Sequence, residues 1–239
     1  MTIISAPSVN FNERKLPISM LVLHYTGMES GAAALERLRD PGAEVSAHYV
    51  VEEDGRVFRL VDEDMRAWHA GRGEWAGIKD VNSASIGIEI VNGGHDFGLP
   101  EFPDMQIDAV ITLCRDIVTR HRIKPVNIIG HSDLAPGRKS DPGEKFPWAK
   151  LAEHGIGLWP QAQAPDRRNL FKLGDRDRGI AAAQHGLATI GYAIGVSGVF
   201  DAVTHDCVTA FQRRFRPDHI DGEIDMESVA LISALTASL

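Results

Sequence analysis

Residues 126–143 read VNIIGHSDLAPGRKSDPG, a pattern that predicts a buried strand followed by a loop with polar side chains. Its apolar start, residues 126–130, predicts a short strand, because branched aliphatic residues bounded by turn residues are typical of one. The loop that follows is rich in proline and glycine and carries His131 and Asp141, ten positions apart. Polar residues at the point where a strand becomes a loop often form a site.

A second apolar segment upstream ends in the same way. Residues 18–24 predict another strand, and His24 is its last residue. Imidazole nitrogens and carboxylate oxygens are good zinc ligands, and a catalytic zinc usually keeps three protein ligands and one open position for water. The sequence therefore predicts a Zn²⁺ site formed by His24, His131 and Asp141.

A candidate proton acceptor lies in residues 85–91, which predict a central strand. Strand alternation places Glu89 on the face opposite Ile88 and Ile90. A carboxylate in such surroundings is costly to bury unless it is paired or functional, and partial burial raises its pKa toward that of a general base. The alternative is a structural glutamate paired with Arg66 or Lys79.

Lys139 lies two positions before the proposed ligand Asp141. Its ammonium group could stabilise the oxyanion that forms when water attacks a carbonyl. The alternative is an exposed loop lysine.

Further residues are candidates for contact with the substrate of such a site. The segment 68–71 places tryptophan beside histidine and glycine, and a His-Tyr pair stands at 48–49. Each could form a sugar-binding or peptide-binding wall, and each is equally compatible with core packing. We expect substrate contacts from Tyr25, His48, Trp68, His69, Asn82 and Arg138.

Composition restricts the class of protein. The chain has 239 residues, is 44% hydrophobic and carries a net charge of −8, which argues against nucleic acid as a partner. No apolar run is long enough to span a membrane.

The start of the chain shows no secretory signal, and Cys114 and Cys207 fit helix patterns as free, buried thiols. We therefore expect a cytoplasmic protein, with the periplasm as the alternative; the oligomeric state is not indicated.

Periodicity predicts two domains. Strands at 18–24, 46–52, 56–61, 85–91 and 126–130, with helices at about 30–39 and 104–121, indicate an α/β domain over residues 1–159, in which helices flank a central mixed β-sheet. Prolines and small residues at 160–167 predict a linker. Helical patterns at 178–190, 201–215 and 225–237 predict a small all-α three-helix bundle over residues 168–239.

Five motifs together resemble the type 2 N-acetylmuramoyl-L-alanine amidases, zinc enzymes whose family includes the peptidoglycan recognition proteins. They lie at 21–24, 45–49, 67–71, 85–89 and 130–143, so the resemblance covers about residues 15–155 and is greatest to the branch that recycles anhydromuropeptides. It implies zinc ligands at His24, His131 and Asp141, a catalytic carboxylate at Glu89 and an oxyanion-stabilising lysine at Lys139. Phage members use cysteine at the third ligand position, and some members carry a tyrosine where this chain has Ala47.

The C-terminal residues resemble the three-helix peptidoglycan-binding module that accompanies such enzymes. The resemblance implies cleavage of the amide between N-acetylmuramic acid and L-alanine, with peptidoglycan or muropeptide fragments as partners. The alternatives are a non-catalytic peptidoglycan-binding module and a zinc hydrolase of another amide. The sequence leaves open whether intact peptidoglycan or 1,6-anhydromuropeptides are preferred.

Overall fold

The computed structural model describes residues 2–160 and 166–239. Residues 161–165, most of the predicted linker at 160–167, lie outside the described residues. The division into two domains at this point therefore stays a prediction.

A six-stranded mixed sheet forms the centre of the N-terminal part, in the order β1-β5-β4-β7-β3-β8. All neighbours are parallel except β4 and β5, which are antiparallel. A separate two-stranded sheet pairs β2 with β6. The strands are β1 (Ile3–Ser5), β2 (Phe11–Glu13), β3 (Met20–Tyr25), β4 (Tyr49–Val51), β5 (Val57–Arg59), β6 (Met65–Ala67), β7 (Ser85–Ile90) and β8 (Ile128–Gly130).

Helices connect and cover these strands. In the N-terminal part they are α1 (Gly31–Arg39), α2 (Val81–Ala84), α3 (Asp104–His121), α4 (His131–Leu134) and α5 (Trp148–Glu153). The predicted helices at 30–39 and 104–121 agree with α1 and α3. Asp104 is the first residue of α3, and Pro103 occupies the position before it.

The two faces of the sheet contribute to two different hydrophobic cores. Along β3, Leu21 and Leu23 pack with the buried face of α3, whereas Met20 and Val22 belong to the second core. Alternation of side chains along a strand produces this separation. Because both sets are fully buried, something must cover the sheet on each side.

The C-terminal helices provide the second cover. They are α6 (Arg178–Ile190), α7 (Ala202–Phe215) and α8 (Met226–Ala237). A two-stranded antiparallel ribbon of β9 (Asn169–Phe171) and β10 (Ile224–Asp225) accompanies them, and the sequence pattern did not predict it. Their core residues, among them Leu187 and Phe211, belong to one cluster with Met20 and Val22. The two parts thus share a hydrophobic core, which the predicted linker did not indicate.

Among the described residues, no helix combines the length and the apolarity that a membrane crossing needs. Cys114 and Cys207 are both buried and free, as predicted.

Candidate metal centre

Three adjacent parallel strands place the predicted site residues at one end of the sheet. In the register of β3 and β7, His24 lies directly beside Glu89. In the register of β3 and β8, Leu23 lies beside Gly130, so the next residues along the chain, His24 and His131, are also neighbours. The carboxyl ends of parallel strands meet at the same edge of a sheet, which is where sites form in such folds.

The three predicted ligands come together in space. Nδ1 of His24 lies 3.0 Å from Nδ1 of His131 and 2.9 Å from Oδ2 of Asp141, and Nδ1 of His131 lies 3.0 Å from the same oxygen. All three side chains are buried. The backbone N–H of Ser132 donates to the carbonyl of Asp141 at 2.9 Å, which folds the loop back onto its own start.

This triangle fits a zinc ion. Zinc bonds of about 2.0–2.1 Å in a tetrahedral arrangement separate the ligand atoms by roughly 3.3 Å, close to the separations present. Nε2 of His131 faces the carbonyl oxygen of Ala70 at 2.8 Å, and that oxygen only accepts hydrogen bonds. A singly protonated ring with this contact carries its proton on Nε2, and its Nδ1 lone pair then points at the Asp141 carboxylate. A metal cation between them would satisfy lone pairs that converge in this way.

His69 supports the ligand His24 from behind. With the Nδ1 lone pair of His24 facing the metal position, Nε2 carries the proton and donates it to Nδ1 of His69 at 3.0 Å. Nε2 of His69 then donates to Oγ of Ser85 at 3.2 Å, and Ser85 donates to the carbonyl of Val81 at 2.6 Å. Partners of this kind fix the orientation and tautomer of a metal-binding histidine.

A glycine in β7 makes room for this support. A Cβ at Gly87 would lie 2.4 Å from Cγ of His69, so any larger residue would push the imidazole off the sheet. The Ile-Gly-Ile pattern of this strand is therefore explained by the ring that packs on it. His69 was predicted to contact substrate; the structure instead places both of its nitrogens in hydrogen bonds to the protein.

The protonation states of the ligands suit metal binding. Burial, together with the neighbouring His131, lowers the pKa of His24 to about 4, so its imidazole is neutral at physiological pH. Burial alone would raise the pKa of Asp141, but electrostatic interactions and hydrogen bonds with the imidazoles of His131 and His24 outweigh it and hold that pKa far below its usual range. Zinc binds neutral imidazole and ionised carboxylate, the forms that these shifts favour for His24 and Asp141.

Glu89 faces the same space without a charged partner among the described residues. Its Oε2 is shielded from solvent and makes no hydrogen bond there. Burial raises the pKa of Glu89 well above its ordinary value, and the nearby Asp141 adds to the effect while Lys139 opposes it. The structural alternative is wrong for Arg66, which pairs with Asp80 at 3.0 Å; Lys79 lies 4.0 Å from Glu74.

A cavity of about 460 Å³ opens beside the metal position. Its lining includes His24, His131, Asp141, Glu89, Lys139, Tyr25, Trp68, His69 and Arg138. The half-buried Trp68 donates from Nε1 to Asn12 at 3.0 Å, and the Tyr25 hydroxyl faces Nδ1 of His95 at 2.9 Å. Tyr25, Trp68 and Arg138 line the cavity, where they could contact a substrate. Their contact with substrate stays a prediction.

Two predicted substrate residues have other roles. His48 is fully buried; its Nδ1 accepts from the N–H of Gly87 at 2.9 Å and its Nε2 faces the carbonyl of Met65 at 3.1 Å. Oδ1 of Asn82 accepts from the backbone N–H groups of His69 and Ala70 at 3.0 and 2.7 Å. Substrate contact is therefore not supported for His48 and Asn82, because their polar atoms contact backbone groups and, for His48, also the side chain of Arg14 at 2.9 Å.

Two residues near the site, His95 and Asp133, were not predicted from the sequence. His95 continues the cavity wall, and its Nε2 lies 3.0 Å from Glu144. Asp133, two residues after His131, is fully buried and holds the start of α4. The glycine pair at 93–94 was a signal for a special loop at His95, whereas nothing local distinguished Asp133 from an exposed turn aspartate.

Comparisons with known proteins agree with this geometry. A family model described as N-acetylmuramoyl-L-alanine amidase matches residues 14–144, and one described as a putative peptidoglycan binding domain matches residues 176–232. N-acetylmuramoyl-L-alanine amidase AmiD of Escherichia coli (strain K12) is 38% identical, over 91% of this chain and 82% of its own length. The 1,6-anhydro-N-acetylmuramyl-L-alanine amidase AmpD of Citrobacter freundii is 38% identical, over 45% of this chain and 55% of its own.

Solved structures extend the similarity to both parts of the chain. Escherichia coli AmiD, in complex with anhydro-N-acetylmuramic acid-L-Ala-D-gamma-Glu-L-Lys, has a TM-score of 0.81 at 36% identity and covers 92% of this chain and 89% of its own. AmpDh3 from Pseudomonas aeruginosa has a TM-score of 0.79 at 35% identity and covers 92% of each chain.

Proposed function

The chain belongs to the N-acetylmuramoyl-L-alanine amidase family, and from this premise we propose that it is a zinc enzyme that cuts the amide between N-acetylmuramic acid and L-alanine. One observation carries the proposal: His24, His131 and Asp141, which could hold a metal ion, share a cavity with Lys139 and with Glu89, whose Oε2 has no hydrogen-bond partner among the described residues. A protein that only binds peptidoglycan would not need metal ligands, a general base and a lysine in one cavity.

The proposed substrates contain anhydromuramic acid linked to a peptide. The AmiD structure holds such a molecule, and another AmpDh3 structure, 34% identical to this chain, is described with anhydromuramic pentapeptide. The match of residues 176–232 to a putative peptidoglycan binding domain supports intact peptidoglycan as an additional substrate. We propose that soluble fragments and polymer are both cut, and that the C-terminal part favours the polymer.

The residues of the chain divide the chemistry between them. When bound, zinc supplies a Lewis acid that polarises the scissile carbonyl and lowers the pKa of a water molecule. Glu89 takes a proton from the attacking water and delivers it to the leaving amine of L-alanine, a role favoured by its raised pKa. Lys139, on the same cavity, stabilises the negative charge that develops on the carbonyl oxygen.

Metal removal and product analysis test the proposal together. Protein stripped of metal and verified by elemental analysis should release no peptide from an anhydromuropeptide, and one equivalent of zinc should restore release. Mass analysis should identify the free stem peptide with an unblocked L-alanine. Activity that persists after verified metal removal would refute the zinc mechanism, and cleavage of a different bond would indicate a hydrolase of another amide.

The cellular compartment stays a prediction. Cytoplasmic residence places the enzyme with imported soluble fragments, and the periplasm places it with the polymer. Fractionation of the native host with markers for each compartment tests this.

A further inference from the structure

A buried ion pair connects the C-terminal helices to the loop that carries a predicted zinc ligand. We propose that Arg214, in α7, positions His131 through Asp133, so that the C-terminal part completes the metal centre besides any role in binding peptidoglycan. The inference rests on the proposed function for the identity of the metal. Its structural basis is the set of contacts around Asp133.

Asp133 is fully buried and links two parts of the chain. Its Oδ2 accepts from the backbone N–H of Gly130 at 2.8 Å, immediately before His131. The same oxygen accepts from Nη1 of Arg214 at 2.8 Å, and Oδ1 accepts from the hydroxyl of Tyr192 at 2.7 Å. Two of these three donors come from the C-terminal part, so this carboxylate depends on it for its charge partner.

Arg214 makes a second contact with the same strand and loop. Its Nη2 donates to the carbonyl of Ile128, in β8, at 2.8 Å. The guanidinium lies over the rings of Trp148 and Phe215, with its Cζ 4.4 and 4.7 Å from their centroids. The guanidinium of Arg214 thus binds both β8 and Asp133, which fixes the start of α4. A lysine could not reproduce these two contacts from one planar group.

The position of His131 follows from these contacts. Gly130 and His131 are consecutive, and the Nδ1 of His131 must stay close to the two other ligand atoms for a metal to bind. Loss of the guanidinium would leave the Asp133 carboxylate buried without a cation, which is costly enough to move or open the loop. Metal affinity is sensitive to such changes, since partners of ligands typically affect it by about 10- to 100-fold.

A matched pair of arginine variants tests the proposal in the full-length chain. R214M removes the cation and keeps much of the side-chain volume. R216M is the control. Arg216, the C-cap residue of α7, is buried like Arg214, but it pairs with Asp221 and Asp225, which both lie in the C-terminal part. Both variants should lower the midpoint of unfolding. Only R214M removes a contact to the loop that carries His131.

Two readouts are measured without substrate, below the unfolding transition of each variant. The zinc Kd, from competition with a chromophoric chelator, should rise about 10-fold or more in R214M and stay at the wild-type value in R216M. Amide hydrogen exchange at Gly130, measured on metal-free protein, should accelerate in R214M alone. If R214M does not fold, Y192F replaces it, with a smaller rise in Kd of about twofold or more, since it removes one hydrogen bond.

An unchanged zinc Kd in folded R214M, or in Y192F where R214M fails to fold, would overturn the proposal. An equal weakening in R214M and R216M would overturn it as well, because the effect would then reflect general destabilisation. An absence of amidase activity in the wild-type protein would refute the proposed function and leave these comparisons of binding and exchange intact.

Discussion

The support that His69 gives to His24 leads to a prediction with a definite magnitude. When a metal occupies Nδ1 of His24, Nε2 must carry the proton, and its acceptor is Nδ1 of His69 at 3.0 Å. In the metal-free protein the proton can move to Nδ1 and be donated to Asp141 instead. Loss of the acceptor therefore penalises mainly the metal-bound form.

The size of the effect follows from burial. A buried donor without a partner costs about 1–3 kcal/mol, which corresponds to a zinc Kd about 5- to 150-fold higher. H69L removes the acceptor and keeps a similar volume, so we expect a rise of about 10-fold or more. H69N offers an amide oxygen near the position of Nδ1 and should stay within a few-fold of wild type.

Competition with a chromophoric chelator measures these affinities, and His48 provides the control. H48L and H48N alter a fully buried histidine whose nitrogens contact the backbone of Gly87 and Met65 and the side chain of Arg14 rather than a metal ligand. These variants should lose stability and keep zinc affinity. A wild-type zinc Kd in folded H69L, or an equal loss in H69L and H48L, would refute the reasoning.

Three further changes follow from the structure. E89Q should retain zinc but lower kcat by about 100-fold or more, because a general base is removed; turnover equal to wild type at full zinc content would reject the role. Burial alone would raise the pKa of Glu63, but hydrogen bonds from Arg120 and His121 outweigh it and lower that pKa. Wild type should therefore be more stable than E63Q above about pH 5 and lose this advantage as pH falls below about 4, as measured by urea unfolding; a pH-independent difference would contradict the assignment. Deletion of residues 166–239 should leave an aggregating or non-cooperative remainder, because these residues complete a shared core; a monomeric, cooperatively unfolding remainder in calorimetry would contradict this.

The candidate metal centre was predictable because strand patterns and ligand chemistry agree. Apolar runs that end in histidine predicted β3 and β8, and adjacent parallel strands bring their ends together. Alternation also predicted the face of Glu89, which is the face of His24. The resemblance to a known family then supplied the roles of Glu89 and Lys139.

The shared core was not predicted, although β3 carried the signal for it. Met20-Leu21-Val22-Leu23 is apolar on both faces, which is typical of a strand covered on both sides. Periodicity alone did not reveal that the second cover comes from α6 to α8.

The roles of His48, His69 and Asn82 could not be read from sequence. Their hydrogen-bond partners are backbone groups and side chains from distant segments, which local patterns do not encode. A buried polar residue that holds backbone looks the same in sequence as one that faces a ligand. The same holds for the Asp133–Arg214 pair, whose members lie 81 positions apart.

The position of the newly added oxygen tests the central claim most directly. Zinc-loaded protein is incubated with an anhydromuropeptide in water enriched in heavy oxygen, and both products are analysed by mass. Hydrolysis at the proposed bond places the heavy oxygen in the lactyl carboxylate of the muramic acid product and leaves the peptide, with its free L-alanine amine, unlabelled. Label in the peptide, or no cleavage by zinc-loaded protein, would contradict the assignment as an amidase acting at this bond.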